Sequence, residues 1–311
     1  MTATIDHAHV DANGITFHVA STRGADGPPI LCLHGFPEGW MSWRPVMERL
    51  PDRPIYAPDL RGYPGTTVPR RGYDVFTLTD DVRALIEALG LERPVIVSHD
   101  WGAELAWIFA HRYSRLIRKL VVVNGTHPRT LVRAVVRFED WQPLRLAFVP
   151  LIALPGLAET LFTTRLGRRA MRWTFLVREG SKGGMDRALV DELVGRFQKP
   201  RDLRGPASYY RQMVATVLLP KRRARLYRTY DTPVTVPVTA VWGQEDEALT
   251  ERIGKKSARD AGCEVEWRPL PGVGHFVDLE APDALASEIE RAARSVSDEA
   301  HRLATGGDSH G

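Results

Sequence analysis

An aspartate stands between an apolar run and a helical pattern at Ser98-His99-Asp100-Trp101-Gly102. A carboxylate exposed on a tight strand-to-helix turn can attack a saturated carbon, displace a leaving group and stay attached as an alkyl ester. Freeing that ester requires a base to activate water, an acid to orient the base, and donors for the oxyanion that develops. His275, in Gly272-Val273-Gly274-His275-Phe276, offers an imidazole on a glycine-bearing loop. Asp246, in Trp242-Gly243-Gln244-Glu245-Asp246, follows an apolar run and is placed to orient that imidazole, with Glu245 and Glu247 as alternatives. The backbone N–H groups of Phe36 and Trp101 are the expected oxyanion donors. The plainer readings are helix caps for Asp100 and Asp246, a role aspartate favours, and an ordinary surface loop for His275.

Positioning these groups calls for strands that end at one edge of a sheet. Residues 8–20 alternate around Asn13-Gly14, the pattern of a tight hairpin. Pro29–Leu33, Pro54–Ala57, Pro94–Ser98, Lys119–Asn124, Thr235–Trp242 and Glu264–Leu270 read as strands. Trp40–Leu50, Thr77–Leu89, Trp101–Tyr113 and Pro282–Arg294 read as helices. Strands alternating with helices predict an α/β fold, a mostly parallel sheet covered on both faces. No strand run occurs between about Pro128 and Asp231. The expected organisation is a core over residues 1–127 and 232–297, a helical lid over 128–231 inserted after the sixth strand, and a disordered tail over 298–311.

Composition fits a globular enzyme, 43% hydrophobic and 26% charged. Charge is unevenly spread: residues 129–230 hold 21 Lys/Arg against 8 Asp/Glu. The plain reading is solvated helix faces; the sharper one is weak contact with an anionic membrane surface through the basic lid. No recognition module accompanies the charge, so nucleic acid is not an expected partner. Cys32 and Cys263 have neither disulfide nor zinc-ligand spacing. No metal or cofactor is expected, and the chain reads as cytoplasmic, a monomer or homodimer.

The frame around Asp100 resembles the nucleophile elbow of the α/β-hydrolases, in which small residues flank a strained turn. The nucleophile–acid–histidine order is also theirs. More narrowly, His34-Gly35-Phe36-Pro37-Glu38, Ser42-Trp43-Arg44 and Asp59-Leu60-Arg61-Gly62-Tyr63 resemble motifs of the epoxide hydrolases. His99-Asp100-Trp101-Gly102-Ala103, Asn124 through His127-Pro128, Phe197-Gln198-Lys199-Pro200 and Tyr209-Tyr210-Arg211 continue the likeness. The resemblance implies hydrolysis of a small apolar epoxide by water, with Tyr210 donating to the epoxide oxygen. It puts His34, Pro37, Trp101, Phe148 and Tyr209 at the substrate. A second family tyrosine precedes a Leu-Pro-Gly-Leu segment; alignment on Leu154-Pro155-Gly156-Leu157 places Phe148 there instead. A haloalkane dehalogenase-like reaction with the same nucleophile is the alternative, followed by a non-catalytic ligand-binding protein of this fold.

Overall fold

The computed structural model describes residues 3–305. Eight strands form one sheet: β1 Ile5–Ala12, β2 Ile15–Thr22, β3 Ile30–Leu33, β4 Ile55–Pro58, β5 Val95–His99, β6 Lys119–Val123, β7 Val238–Gly243 and β8 Val265–Leu270. Their spatial order is β1-β2-β4-β3-β5-β6-β7-β8. The β1–β2 and β2–β4 pairs are antiparallel and the remaining neighbours parallel. Asn13 and Gly14, both at positive φ, close the β1–β2 hairpin between the paired Ala12 and Ile15. That left-handed pair is what the Asn-Gly dipeptide favours.

Strands β3, β5 and β6 are buried on both faces, which explains their unbroken apolar runs. Leu31, Leu33, Ile96, Leu120 and Val122 pack with Trp107 and Phe109 on one side. Ile30, Cys32, Val97 and Val121 pack with Trp43, Met47, Leu285 and Ile289 on the other. The helix Trp101–Tyr113 continues directly from β5, so the turn at Asp100 lies at the C-terminal edge of a central strand. In open α/β sheets that edge is where ligands bind.

The chain between β6 and β7 is helical, with the longest helix at Pro200–Leu218 and another at Arg165–Val177, where the sequence leads one to expect a lid. Two expectations require correction. Trp40–Leu50 is a 3-10 turn, Trp40–Trp43, followed by a separate helix, Arg44–Arg49, which Pro45 opens from its first turn. The C-terminal helix runs Pro282–Thr305, so 298–305 is helical where a disordered tail was expected. The run of alanine and charged helix formers simply extends the amphipathic helix. Residues 306–311 of that expected tail lie outside the described residues.

Candidate active site

Asp100 takes φ 46° and ψ −114°. Such a conformation costs a non-glycine residue roughly 1–3 kcal/mol and is held only where its surroundings over-determine it. Here the surroundings are two backbone approaches that only glycine permits. A Cβ on Gly102 would lie 2.1 Å from the Leu33 carbonyl oxygen, and one on Gly35 would lie 2.5 Å from the Asp100 Cβ. The loop after β3 is thereby pressed onto the elbow, and the Phe36 N–H donates to Asp100 Oδ1 at 2.9 Å.

Facing the other carboxylate oxygen is His275, its Nε2 3.8 Å from Asp100 Oδ2. Its Nδ1 is 2.7 Å from Asp246 Oδ2. Asp246 Oδ1 accepts from the N–H groups of Ala248 and Leu249, at 2.7 and 2.9 Å. The carboxylate thus caps its own loop while its second oxygen holds the imidazole. Of the alternatives, Glu245 is exposed and bound to Ser181, and Glu247 is exposed at the cavity.

The charges reinforce one another. Burial alone would lower the His275 pKa, but the Asp246 and Asp100 carboxylates raise it to about 9. Burial would raise Asp100, but His275, the charge on His99 and the Phe36 N–H bring it down to about 2. At neutral pH the resting pair is therefore carboxylate facing imidazolium.

Asp100 and His275 open into a cavity of about 480 Å³ whose lining includes Phe36, Pro37, Phe148, Ile152, Met171 and Tyr210. The Tyr210 ring stands edge-on to Trp101 at 5.0 Å and to Phe36 at 5.4 Å. Burial and the nearby Asp100 charge push its hydroxyl well above the ordinary tyrosine pKa, so it remains a phenol. Phe148 lies beside it, ring centroids 6.3 Å apart, and the Arg178 guanidinium stands over the Phe148 ring, 4.9 Å from its centre. Two residues expected at the substrate lie elsewhere. His34 is buried beneath the loop, where its Nε2 accepts from the Leu60 N–H. Tyr209 points away from the cavity and donates to the Arg61 carbonyl. On a helix, adjacent residues face about 100° apart, so Tyr209 can turn to the Arg61 carbonyl while Tyr210 faces the cavity. Trp101 lies behind the cavity, edge-on to both tyrosines.

The sequence matches the α/β hydrolase fold family over residues 28–282. The chain belongs to that family. It is 29% identical to Epoxide hydrolase 3 of Mus musculus over 292 residues, covering 92% of this chain and 76% of that protein. Epoxide hydrolase 4 of Mus musculus is 30% identical over 284 residues, covering 89% and 76%. The crystal structure of epoxide hydrolase VrEH1 from Vigna radiata is 26% identical, with a TM-score of 0.75 over 94% of this chain and 98% of that one.

Within this α/β-hydrolase frame, several side chains that carried no assigned role surround the site. Asn124, at φ 38°, donates to Asp246 Oδ2 at 2.7 Å and to the Gly274 carbonyl at 3.2 Å, and accepts from the Gly243 N–H at 2.7 Å. One side chain therefore ties the acid loop to the histidine loop. Its sequence signal was its place just after β6 within the epoxide-hydrolase resemblance. Behind His275, the fully buried His99 has Nδ1 2.9 Å from Glu38 Oε1 and Nε2 2.9 Å from the His275 carbonyl. Nε2 donates to that carbonyl, while Nδ1 is paired with Glu38 by charge and proximity. Against the effect of burial, Glu38 and Asp278 raise the His99 pKa well above the usual value. Glu38, His99 and Asp278 are close enough to suggest a cation site. An imidazole that the two carboxylates keep protonated has no lone pair to offer a metal.

The helical segment between β6 and β7 is fastened to the same loops. The Arg178 carbonyl accepts from the His275 N–H at 3.1 Å, and the Lys182 N–H donates to the Gly272 carbonyl at 2.9 Å. A small cavity of about 40 Å³ shares Asp100, Phe148 and Tyr210 with the active-site cavity and Glu104, Leu146 and Met213 with a second. That second cavity is about 300 Å³ and almost wholly apolar, with Glu104 on its wall. Burial and the Asp100 charge raise the Glu104 pKa well above the usual carboxyl range.

Proposed function

We propose that this hydrolase opens epoxides to vicinal diols through an alkyl ester on Asp100. The observation that carries the reading is a single carboxylate divided between two tasks. Its Oδ1 rests on the Phe36 N–H, while its Oδ2 faces the His275–Asp246 pair. In the first step Oδ2 attacks a ring carbon and the carbon–oxygen bond breaks. Tyr210 donates its proton to the departing alkoxide, which is otherwise a poor leaving group. Esterification removes the Asp100 charge, the His275 pKa falls, and the proton it releases makes good the one Tyr210 gave up. In the second step neutral His275 takes a proton from water, and the hydroxide adds to the ester carbonyl. The Phe36 N–H, with the Trp101 N–H as second donor, holds the oxyanion. Collapse expels the diol oxygen, which takes the proton that His275 holds, and the new Asp100 carboxyl returns its own proton to His275, restoring carboxylate and imidazolium. The mostly apolar lining and the small cavity adjoining it suit an epoxide with apolar substituents on both sides. The epoxide hydrolases among its relatives support this choice of substrate.

Two variants test the reading. His275→Ala keeps the nucleophile and loses the base, so incubation with a styrene-type epoxide should add the mass of the substrate to the intact protein without steady turnover. Tyr210→Phe should cost about 10²–10⁴-fold on epoxides, as loss of a general acid does. Halide departure needs no proton, so haloalkane turnover that is insensitive to Tyr210→Phe, with no epoxide activity in the parent, would instead establish a dehalogenase.

A further inference from the structure

The large apolar side chains that stand exposed among the described residues all lie between Val136 and Leu219, in the lid. Soluble proteins seldom concentrate such side chains without a use for them. On the helix Arg165–Val177, Met171 and Phe175 face inward, whereas Leu166 (74% exposed), Trp173 (62%) and Val177 stand outward at spacings of seven and four. One helix face therefore turns its apolar stripe to solvent. Arg165 and Arg169 are exposed on that side of the helix, and neither forms an ion pair among the described residues. A second group, including Trp141 (65% exposed) and Leu144, stands on the preceding lid segment. The two groups meet at the active-site cavity, whose lining takes in Leu144, Trp173 and Val177. The cavity thus opens through the apolar patch.

We propose that this face of the lid docks on the surface of an anionic lipid bilayer, with the cavity mouth turned to the membrane. Tryptophan and leucine beside unpaired arginines form the interfacial pattern, apolar groups among the acyl chains and cations among the headgroups. The segment as a whole is cationic, with 21 Lys/Arg against 8 Asp/Glu over residues 129–230, and Arg165 and Arg169 put part of that charge on this face. A second copy of the chain is a poorer occupant, because a two-fold interface sets the same patch against itself and would bring Arg165 and Arg169 against their own copies. The docking stands on this surface alone. Supply of an apolar epoxide from the lipid rests on the reaction proposed above.

The test is flotation of the purified protein with phosphatidylcholine vesicles that contain or lack phosphatidylglycerol, at low and high salt. Binding should require phosphatidylglycerol and weaken with salt. Each cation at such a surface is worth roughly a fivefold change in partitioning. Reversing both charges in Arg165→Glu/Arg169→Glu should therefore lower partitioning more than about tenfold, and Leu166→Glu should also weaken it. None of these residues lines the cavity, so turnover of a small water-soluble epoxide should be unchanged in all of them. Absence of binding to anionic vesicles, equal binding to neutral ones, or wild-type binding by the charge-reversed variant would overturn the proposal. So would a dimer, seen by light scattering, that the Leu166→Glu substitution dissolves. Vesicle binding without epoxide turnover would leave the docking standing and refute the reaction instead.

Discussion

Replacing Asp100 by Asn removes a charge and keeps the shape, which is also what esterification does to this residue. His275 then loses one of the two carboxylates that hold its pKa at about 9. Two unit charges about 4 Å apart interact by about 4 kcal/mol at an effective dielectric constant near 20. At 1.36 kcal/mol for each pH unit, that is a ceiling of about three pH units. The Asp100 side chain is 21% exposed to the cavity, whose water screens part of the attraction. The His275 pKa in Asp100→Asn should accordingly fall by between one and three units, roughly into the range 6–8. A pH titration of the His275 ring followed by NMR, in parent and variant, measures this directly. The raised pKa also stabilises the folded parent. That contribution is fully present below the unfolded value near 6.5 and is lost as pH rises through about 9. Thermal unfolding of the parent should therefore lose stability between pH 6.5 and 9 more steeply than the variant does. A His275 that still titrates near 9 in Asp100→Asn would show that Asp246 alone sets its charge. The imidazole would then stay protonated in the ester at neutral pH, and the proposed second step would fail.

Two further substitutions probe how the site is held. Asn124→Ala removes the bond that orients Asp246, and hydrogen bonds to charged groups are worth about 1.5–3 kcal/mol. Ester breakdown should slow about tenfold to a hundredfold, so that the alkylated protein becomes visible in single-turnover mass measurements; an unchanged rate of breakdown would show that the Ala248 and Leu249 N–H groups suffice. Gly35→Ala places a methyl group 2.5 Å from the Asp100 Cβ and 2.7 Å from Oδ1. Displacing Asp100, the proposed nucleophile, by such an amount should cost about 10²-fold in activity with a stability loss of about 1–3 kcal/mol, and near-parental rates of esterification would mean that the elbow has slack its contacts do not suggest.

Much of this site could be read along the chain because each part is local. The β-branched run before Asp100, the glycine two residues after it and the helical pattern beyond describe a strand, a tight turn and a helix without reference to any other segment. The Asn-Gly hairpin and the glycines around His275 are equally self-contained. Local sequence also limited the acid to three neighbouring carboxylates. Choosing among them took the fold, since Asp246 alone has its oxygens turned to the inward side of the loop, between its own backbone donors and His275. The same holds for Asn124, whose partners at 243, 246 and 274 lie on two loops beyond the lid. His99 acquires its charge from Glu38, more than sixty positions earlier, and from Asp278, far later in the chain. Placing His34 and Tyr209 at the substrate failed for a related reason: a motif gives a residue's neighbours in sequence, but the face of a helix or the underside of a loop is decided by what packs there. Local patterning determined the elements and the chain order of Asp100, Asp246 and His275. Which polar groups are buried together, and hence which are charged, was decided by long-range contacts between strand ends that the sheet brings to one edge.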